Sequence, residues 1–485
     1  MQLKLFRTPV FLFFFSITFL FTAAQQDVPT DYLSPSFHKG RRDAARELMP
    51  ANSVMVIFAA SEKTFANDVT YLYHQNPDLY YFTGYKEPHA VLFLFKESQK
   101  AADGSSFNEV FFVQKKDARG EQWTGRRLGT QGVKEKLGIQ TVYTGEELKN
   151  FALDFSGFSK IITESFPEDV KKGRGEGDLY NLIQQVKTKT AITDAKDARL
   201  DARAFRQITA QLREVKTPEE MYLLRKAVEI SCMGHNEVMK TLNPNMSELE
   251  IQGLQEFVHK KYGSEEVGYG SIVGAGENGC ILHYMENSKT KIGNNLLLMD
   301  VGASYHGYTA DVTRTIPAKG KFTPEEKIIY QLVYDAQEAA FKTLKDGSRW
   351  ADASKAAQDV IANGLINLGI IKNPSDVSKY YPHGLGHHIG LDVHDKSLYG
   401  PMKKDMVITI EPGIYIPPNS DCDKKWWSIA VRIEDDALIT ENGYELLSAF
   451  SPRSIEAIEK MMAEKSVIDN FKLPALKTAQ PKPAF

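Results

Sequence analysis

Four histidines crowd one short stretch, YYPHGLGHHIGLDVHD at residues 380–395, out of eleven in the whole chain. They are His383, His387, His388 and His394. His383 and His387 are four apart, the spacing of helical zinc sites. Gly384, Gly386 and Gly390 argue against a helix here, so a bent or extended segment is expected. On an extended chain side chains alternate, which puts His383 and His387 on one face and His388 on the other. Any metal held here must draw its other ligands from elsewhere. Carboxylates set in apolar strands supply candidates. Asp300 closes the run LLLMD, Asp311 follows in YTADV, Glu411 ends MVITIE, and Glu434 lies in SIAVRIEDD with Arg432 on the same face. Such acids are costly to bury unless paired or metal-bound. Two neighbouring carboxylates repel unless a cation lies between them. Four carboxylates and one imidazole would make an oxygen-rich set, suited to manganese or a similar divalent ion rather than structural zinc.

The elements that must carry these groups can be read from pattern. NNLLLMDVGASYHGYTADVTRTI (294–316) has the look of a hairpin. With its turn centred between Tyr305 and His306, Asp300 faces Asp311 directly, at cross-strand distance. The quartet Thr-Pro-Glu-Glu occurs at 217–220 and again at 323–326, a capping box with proline at the first helical position. Each quartet opens a helix and leads to a second helix (247–263 and 352–369), a Gly/His segment (276–284 and 383–390) and acid-bearing strands. This repeated order implies an internal duplication within 216–460. Upstream, 54–60, 90–95 and 109–114 read as strands, 171–178 as a charged, glycine-rich loop, and 194–216 as a helical connection. Asp435 and Asp436 read as residues of a turn or of the support around the site.

Length and composition set limits. At 485 residues two domains are expected. Hydrophobic residues at 42%, charged residues at 25% and a net charge of −3 describe an ordinary globular chain, with no basic excess to recruit nucleic acid. Lys4, Arg7, the apolar run Val10–Phe21 and Thr22-Ala23-Ala24 read as a secretory signal cleaved near Ala24. The apolar run is short for a membrane span. The expectation is an exported protein, periplasmic or secreted, with no stable membrane association after cleavage. Cys232, Cys280 and Cys422 are too few for a disulfide framework. The tail 466–485 is expected to be disordered.

Taken together, SIVGAGENGCILHYMEN, LLLMDVGASYHGYTADVTRTI, YPHGLGHHIGLDVHD, TIEPGIYI and AVRIEDD resemble, in order, the blocks of the Xaa-Pro aminopeptidases (aminopeptidase P) of the pita-bread metallopeptidases. YHQNPDLYYFTGYKEPHA (73–90) looks like that family's N-terminal domain. The resemblance implies an α/β (α+β) chain: a creatinase-like N-terminal domain (37–195), then a pita-bread catalytic domain (216–460) with a pseudo-two-fold duplication. It implies two divalent ions, with manganese favoured and zinc, cobalt or iron as alternatives. Their ligands would be Asp300, Asp311, His387, Glu411 and Glu434. His283, His383 and His394 match positions that contact substrate or stabilise the tetrahedral intermediate. Arg432 matches a site-lining arginine, and Glu411 also a proton shuttle. The implied substrate is a peptide with proline second, attacked by a metal-bridging hydroxide. The implied assembly is a homo-oligomer, dimer or tetramer. A prolidase of the same fold, a metal-free creatinase-like enzyme and a non-catalytic binding module are the alternatives.

Overall fold

The Ser53–Phe58 strand is apolar from Val54 onward and buried at every position, the pattern of a strand covered on both faces. Its residues alternate between two cores. Met55 and Ile57 pack with Phe37 and Ala45 of the helix Pro35–Leu48; Val54, Val56 and Phe58 pack with Leu182, Ile183 and Val186 of the helix Leu179–Thr190. It is part of a five-stranded mixed sheet ordered Val142–Thr144, Ser106–Val113, Val91–Lys100, Ser53–Phe58, Lys160–Ile162. The structure, a computed structural model, describes residues 29–470 apart from 102, 153, 174, 193 and 195. The expected leader lies outside those residues. Of the tail expected from 466, Val467–Asn470 forms a 3-10 turn, with Ser466 Oγ donating to Glu237; the remainder also lies outside. Among the described residues no helix is long and apolar enough to cross a membrane, and the three cysteines are free.

The connecting helix is shorter than expected, Ala202–Arg213. Leu200 bridges to Ile161 at the sheet edge, and Asp201 caps the helix by accepting the Ala204 N–H, so helix cannot begin earlier. The duplicated order of elements is present from Thr217 onward. Thr217 and Thr323 each form a complete capping box, opening the helices Pro218–Thr241 and Pro324–Phe341. The second helices run Glu248–Lys261 and Trp350–Asn367. A three-stranded sheet follows each pair: Ile272–Ala275, Leu296–Asp300 and Thr313–Pro317 in the first half, Val407–Ile410, Asp435–Ile439 and Tyr444–Leu446 in the second. A separate pair, Gly413–Ile416 with Ile429–Arg432, completes the second half. The halves join where Thr313 bridges to Glu434 and where Thr315 Oγ1 donates to the Arg432 carbonyl at 2.9 Å. Leu297, Met299, Val333, Ile408, Val431 and Ile433 meet in the core between them.

Two local expectations need correction. The hairpin turns on His306 and Gly307, both at positive φ, with Tyr305 opposite Tyr308. A two-residue turn of this kind demands positive φ at both centres, so the register follows the glycine. Asp300 therefore pairs with Thr313, not Asp311. Asp435 and Asp436 are not turn residues; they begin a strand and are fully buried.

Candidate metal centre

Each candidate acid sits where a strand ends or breaks, so its carboxylate leaves the apolar ladder and turns into the gap between the halves. Asp300 is the last residue of its strand, and Asp311 lies between Tyr308–Thr309 and Thr313–Pro317. Glu411 follows Val407–Ile410 directly, and Glu434 fills the break between Ile429–Arg432 and Asp435–Ile439. His387 comes from an irregular segment, in keeping with its glycines. The register change does not separate the two aspartates: Tyr269 Oη lies 2.5 Å from Asp300 Oδ1 and 2.5 Å from Asp311 Oδ1. His387 Nε2 lies 3.4 Å from Asp311 Oδ2 and 3.5 Å from Glu411 Oε1. Asp311, His387 and Glu434 each offer a ligand atom, all within 4.8 Å of one another. Asp300 and Glu411 adjoin this trio, through Tyr269 and through His387.

The electrostatics of the protein alone are strained toward a cation. Burial, and then the charge of Asp311, raises Asp300 to about 6 against the pull of Arg432. Burial also raises Glu411 to about 7, and burial with the Asp311 charge lifts Glu434 well above the carboxylate range. Burial opposes ionisation of Asp311 too, yet its contact with His387 holds it below its usual value. His387 moves the other way. Burial would depress it, but the Asp311 hydrogen bond and the charges of Asp311 and Glu411 raise it to about 9. These four acids outnumber the cations in reach, His387 and Arg432. A divalent ion would relieve that imbalance, and the donor set, oxygens with one imidazole, fits such an ion. His387 is prepared for ligation: its Nδ1–H donates to the His388 carbonyl at 3.1 Å, which leaves Nε2 free toward the acids.

Around this centre a polar chain runs from Asp300. Arg432 donates to Asp300 Oδ2 at 2.7 Å and to Tyr415 Oη at 2.9 Å. Tyr415 donates to His383 Nε2 at 2.8 Å, while His383 Nδ1–H donates to the Gly384 carbonyl at 2.8 Å. His383 is thus engaged at both nitrogens, and burial lowers it to about 4. His394 packs against His387 with ring centroids 4.0 Å apart and the rings tilted by 32°, and it is exposed. His283 is exposed and close enough for its charge to depress both His383 and His394. His388 faces away, buried against Trp350 and Tyr399. Tyr269, Thr313 and Tyr415 were not foreseen; Asp436 takes the supporting place that was one of its two readings. Thr313 Oγ1 donates to Glu434 Oε2 at 2.6 Å, and Asp436 accepts the Asp311 N–H. Tyr415 could have been found as the one polar side chain in the strand GIYI; Tyr269 carries no such local signal.

Residues 222–441 match the model of metallopeptidase family M24, and residues 38–160 match that of the aminopeptidase P N-terminal domain. The Xaa-Pro aminopeptidase of Escherichia coli is 35% identical over 447 residues, 87% of this chain and 96% of that protein. The chain belongs to metallopeptidase family M24. Its α/β architecture is that of solved members. Escherichia coli aminopeptidase P with the inhibitor Pro-Leu superposes with a TM-score of 0.78 at 34% identity, covering 89% of this chain and 98% of that one. Pseudomonas aeruginosa aminopeptidase PepP gives 0.79 at 32% identity, covering 90% and 99%. The cluster built from Asp311, His387 and Glu434 lies within the residues that match the M24 model.

Proposed function

We propose that the chain is a metal-dependent aminopeptidase that hydrolyses the bond between an N-terminal residue and a following proline. The observation that carries this reading is the convergence of Asp300, Asp311, His387, Glu411 and Glu434 at one seam, all but the half-buried Glu411 buried, in a chain whose relatives over most of its length include Xaa-Pro aminopeptidases. We assign those five residues as ligands of two divalent ions and favour manganese, because four of the five are carboxylates. The ions, when bound, supply Lewis acidity and lower the pKa of water toward neutrality.

The protein's own groups then have distinct tasks. Glu411 lies beside His387, 3.5 Å from its Nε2, where its carboxylate can take a proton and pass it to the leaving proline nitrogen. Arg432 and Tyr415 fix His383, so His383 serves as a wall of the cleft and a positioned acceptor rather than a free donor. His394 and His283, with exposed rings, are left to donate to the substrate carbonyl. A bond to proline has no N–H and a rigid ring, which a cleft walled by imidazoles and tyrosines accommodates.

The test is hydrolysis of Arg-Pro-Pro against Ala-Pro by the purified protein with manganese. Release of arginine, abolished by chelator and by His387→Ala, supports the assignment; cleavage of the dipeptide alone moves it to prolidase. Export to the periplasm or medium is proposed on the leader pattern alone, and N-terminal sequencing of the mature protein checks it. A homo-oligomeric state is proposed with it, and light scattering checks that.

A further inference from the structure

A buried ion cluster lies away from the metal centre and joins three parts of the chain. Arg213, at the end of its helix, donates to Asp78 Oδ1 at 2.8 Å, Asp392 Oδ2 at 2.8 Å and Asp395 Oδ1 at 2.5 Å. Lys216 donates to Asp395 Oδ2 at 2.8 Å and to the Arg213 carbonyl at 2.6 Å. Lys396 donates to Asp78 Oδ2 at 2.7 Å and to Glu164 Oε2 at 3.1 Å. Arg213, Lys216, Asp78 and Asp395 are all nearly inaccessible. Buried ion pairs are weak evidence for stability, since desolvation offsets their attraction. Their geometry points to a different use. Asp392, Asp395 and Lys396 bracket His394, whose ring packs against that of His387. The Asp395 N–H donates at 2.8 Å to the His388 carbonyl, the same oxygen that takes the His387 Nδ1–H. Gly390 belongs to this clamp: a Cβ there would lie 2.1 Å from Asp395 Oδ2.

We infer that Asp78, Arg213, Asp392 and Asp395 are positioning residues. They lock the 390–396 segment to the N-terminal part of the molecule, so that His394 is held over the site. Asp78 thereby makes the M24 half depend on a helix outside it, Pro77–Thr83. The functional part of this inference rests on the proposed peptidase reading; the positional part does not.

The experiment uses Asp78→Asn and Asp392→Asn. The second removes only the charge of a side chain that is 39% exposed, so the fold survives the change. Two readouts are taken on the full chain. In the first, kcat/KM on Arg-Pro-Pro should fall about tenfold or more in each variant, as for groups that support a site from behind. The double variants with His394→Ala should then be no worse than His394→Ala alone. In the second, diethyl pyrocarbonate labelling followed by peptide mass spectrometry should show His394 reacting several-fold faster in both variants, with His283 unchanged. Additive losses in the double variants, or unchanged labelling of His394, would overturn the inference. A wild-type protein that cleaves no Xaa-Pro peptide would sink the functional reading, while the labelling result would still decide whether the cluster positions His394.

Discussion

Filling the metal centre should expel protons, and the number follows from the environment of each ligand. A ligand must be deprotonated to bind. Near pH 7 His387, held at about 9, carries nearly one proton; Glu411, at about 7, carries half; Asp300, at about 6, about a tenth. Asp311, held low, contributes none, and Glu434, raised well above its usual range, adds to the total. At least about one and a half protons should therefore leave per centre filled at pH 7. The same three groups should weaken apparent affinity roughly 10³-fold between pH 8 and pH 6, because each takes up protons in competition with the ion as pH falls. The assay is isothermal titration of chelator-treated protein with manganese in buffers of different ionisation enthalpy. Release below about half a proton would refute the reasoning. It would mean that His387 is not held protonated by the acids beside it, and so that these groups do not form the binding set.

Without metal, His387 makes stability depend on pH. Its folded value of about 9 exceeds the ordinary 6.5, so its contribution of about 3 kcal/mol is complete below pH 6.5 and lost as pH rises through 9. Asp300 and Glu411, also raised, act in the same sense at lower pH, where buried imidazoles such as His383, lowered to about 4, act in the opposite sense; the urea midpoint of the metal-free protein should therefore fall from pH 7 to 9, and a flat or rising profile there would contradict this. Arg314 pairs with Asp435 in full burial and donates to the Glu434 and Thr313 carbonyls. Arg314→Met should cost about 3–5 kcal/mol by urea unfolding, and a loss under about 1 kcal/mol would show that the remaining partners of Asp435 suffice. A Cβ at Gly386 would lie 2.1 Å from the Thr409 carbonyl, and Thr409 Oγ1 accepts the His387 N–H. Gly386→Ala should weaken manganese binding about 10–100-fold in a folded protein, and unchanged affinity would show that the segment tolerates the displacement.

Elements with a local signature were legible in the sequence. The capping boxes at Thr217 and Thr323 mark helix starts because side chain and backbone satisfy each other within four residues. The acids at strand ends were legible because a carboxylate beside an apolar run must be compensated. What failed depends on geometry that sequence does not carry. The hairpin register turned on which two residues could hold positive φ, and a shift of one position in the turn moved Asp300 from Asp311 to Thr313. Tyr269 is far from both aspartates in sequence, so only the folded chain brings its hydroxyl between them. Asp435 and Asp436 could be read as turn residues or as support for the site, because two adjacent acids are seldom buried; the second reading holds, with Arg314 and the Asp311 N–H making their burial tolerable. The connecting helix was read too long because its helical composition extends past the Asp201 cap.

The central claim is that the buried carboxylates and His387 hold the ions that cleave Xaa-Pro bonds. Its most direct test is to strip the protein with chelator, return manganese in measured steps, and follow arginine release from Arg-Pro-Pro together with bound metal. The account predicts no activity in the stripped protein, recovery that saturates at two ions per chain, and loss of both binding and recovery in Asp311→Asn. Full activity without metal, or two bound ions with no cleavage of the peptide, would contradict it.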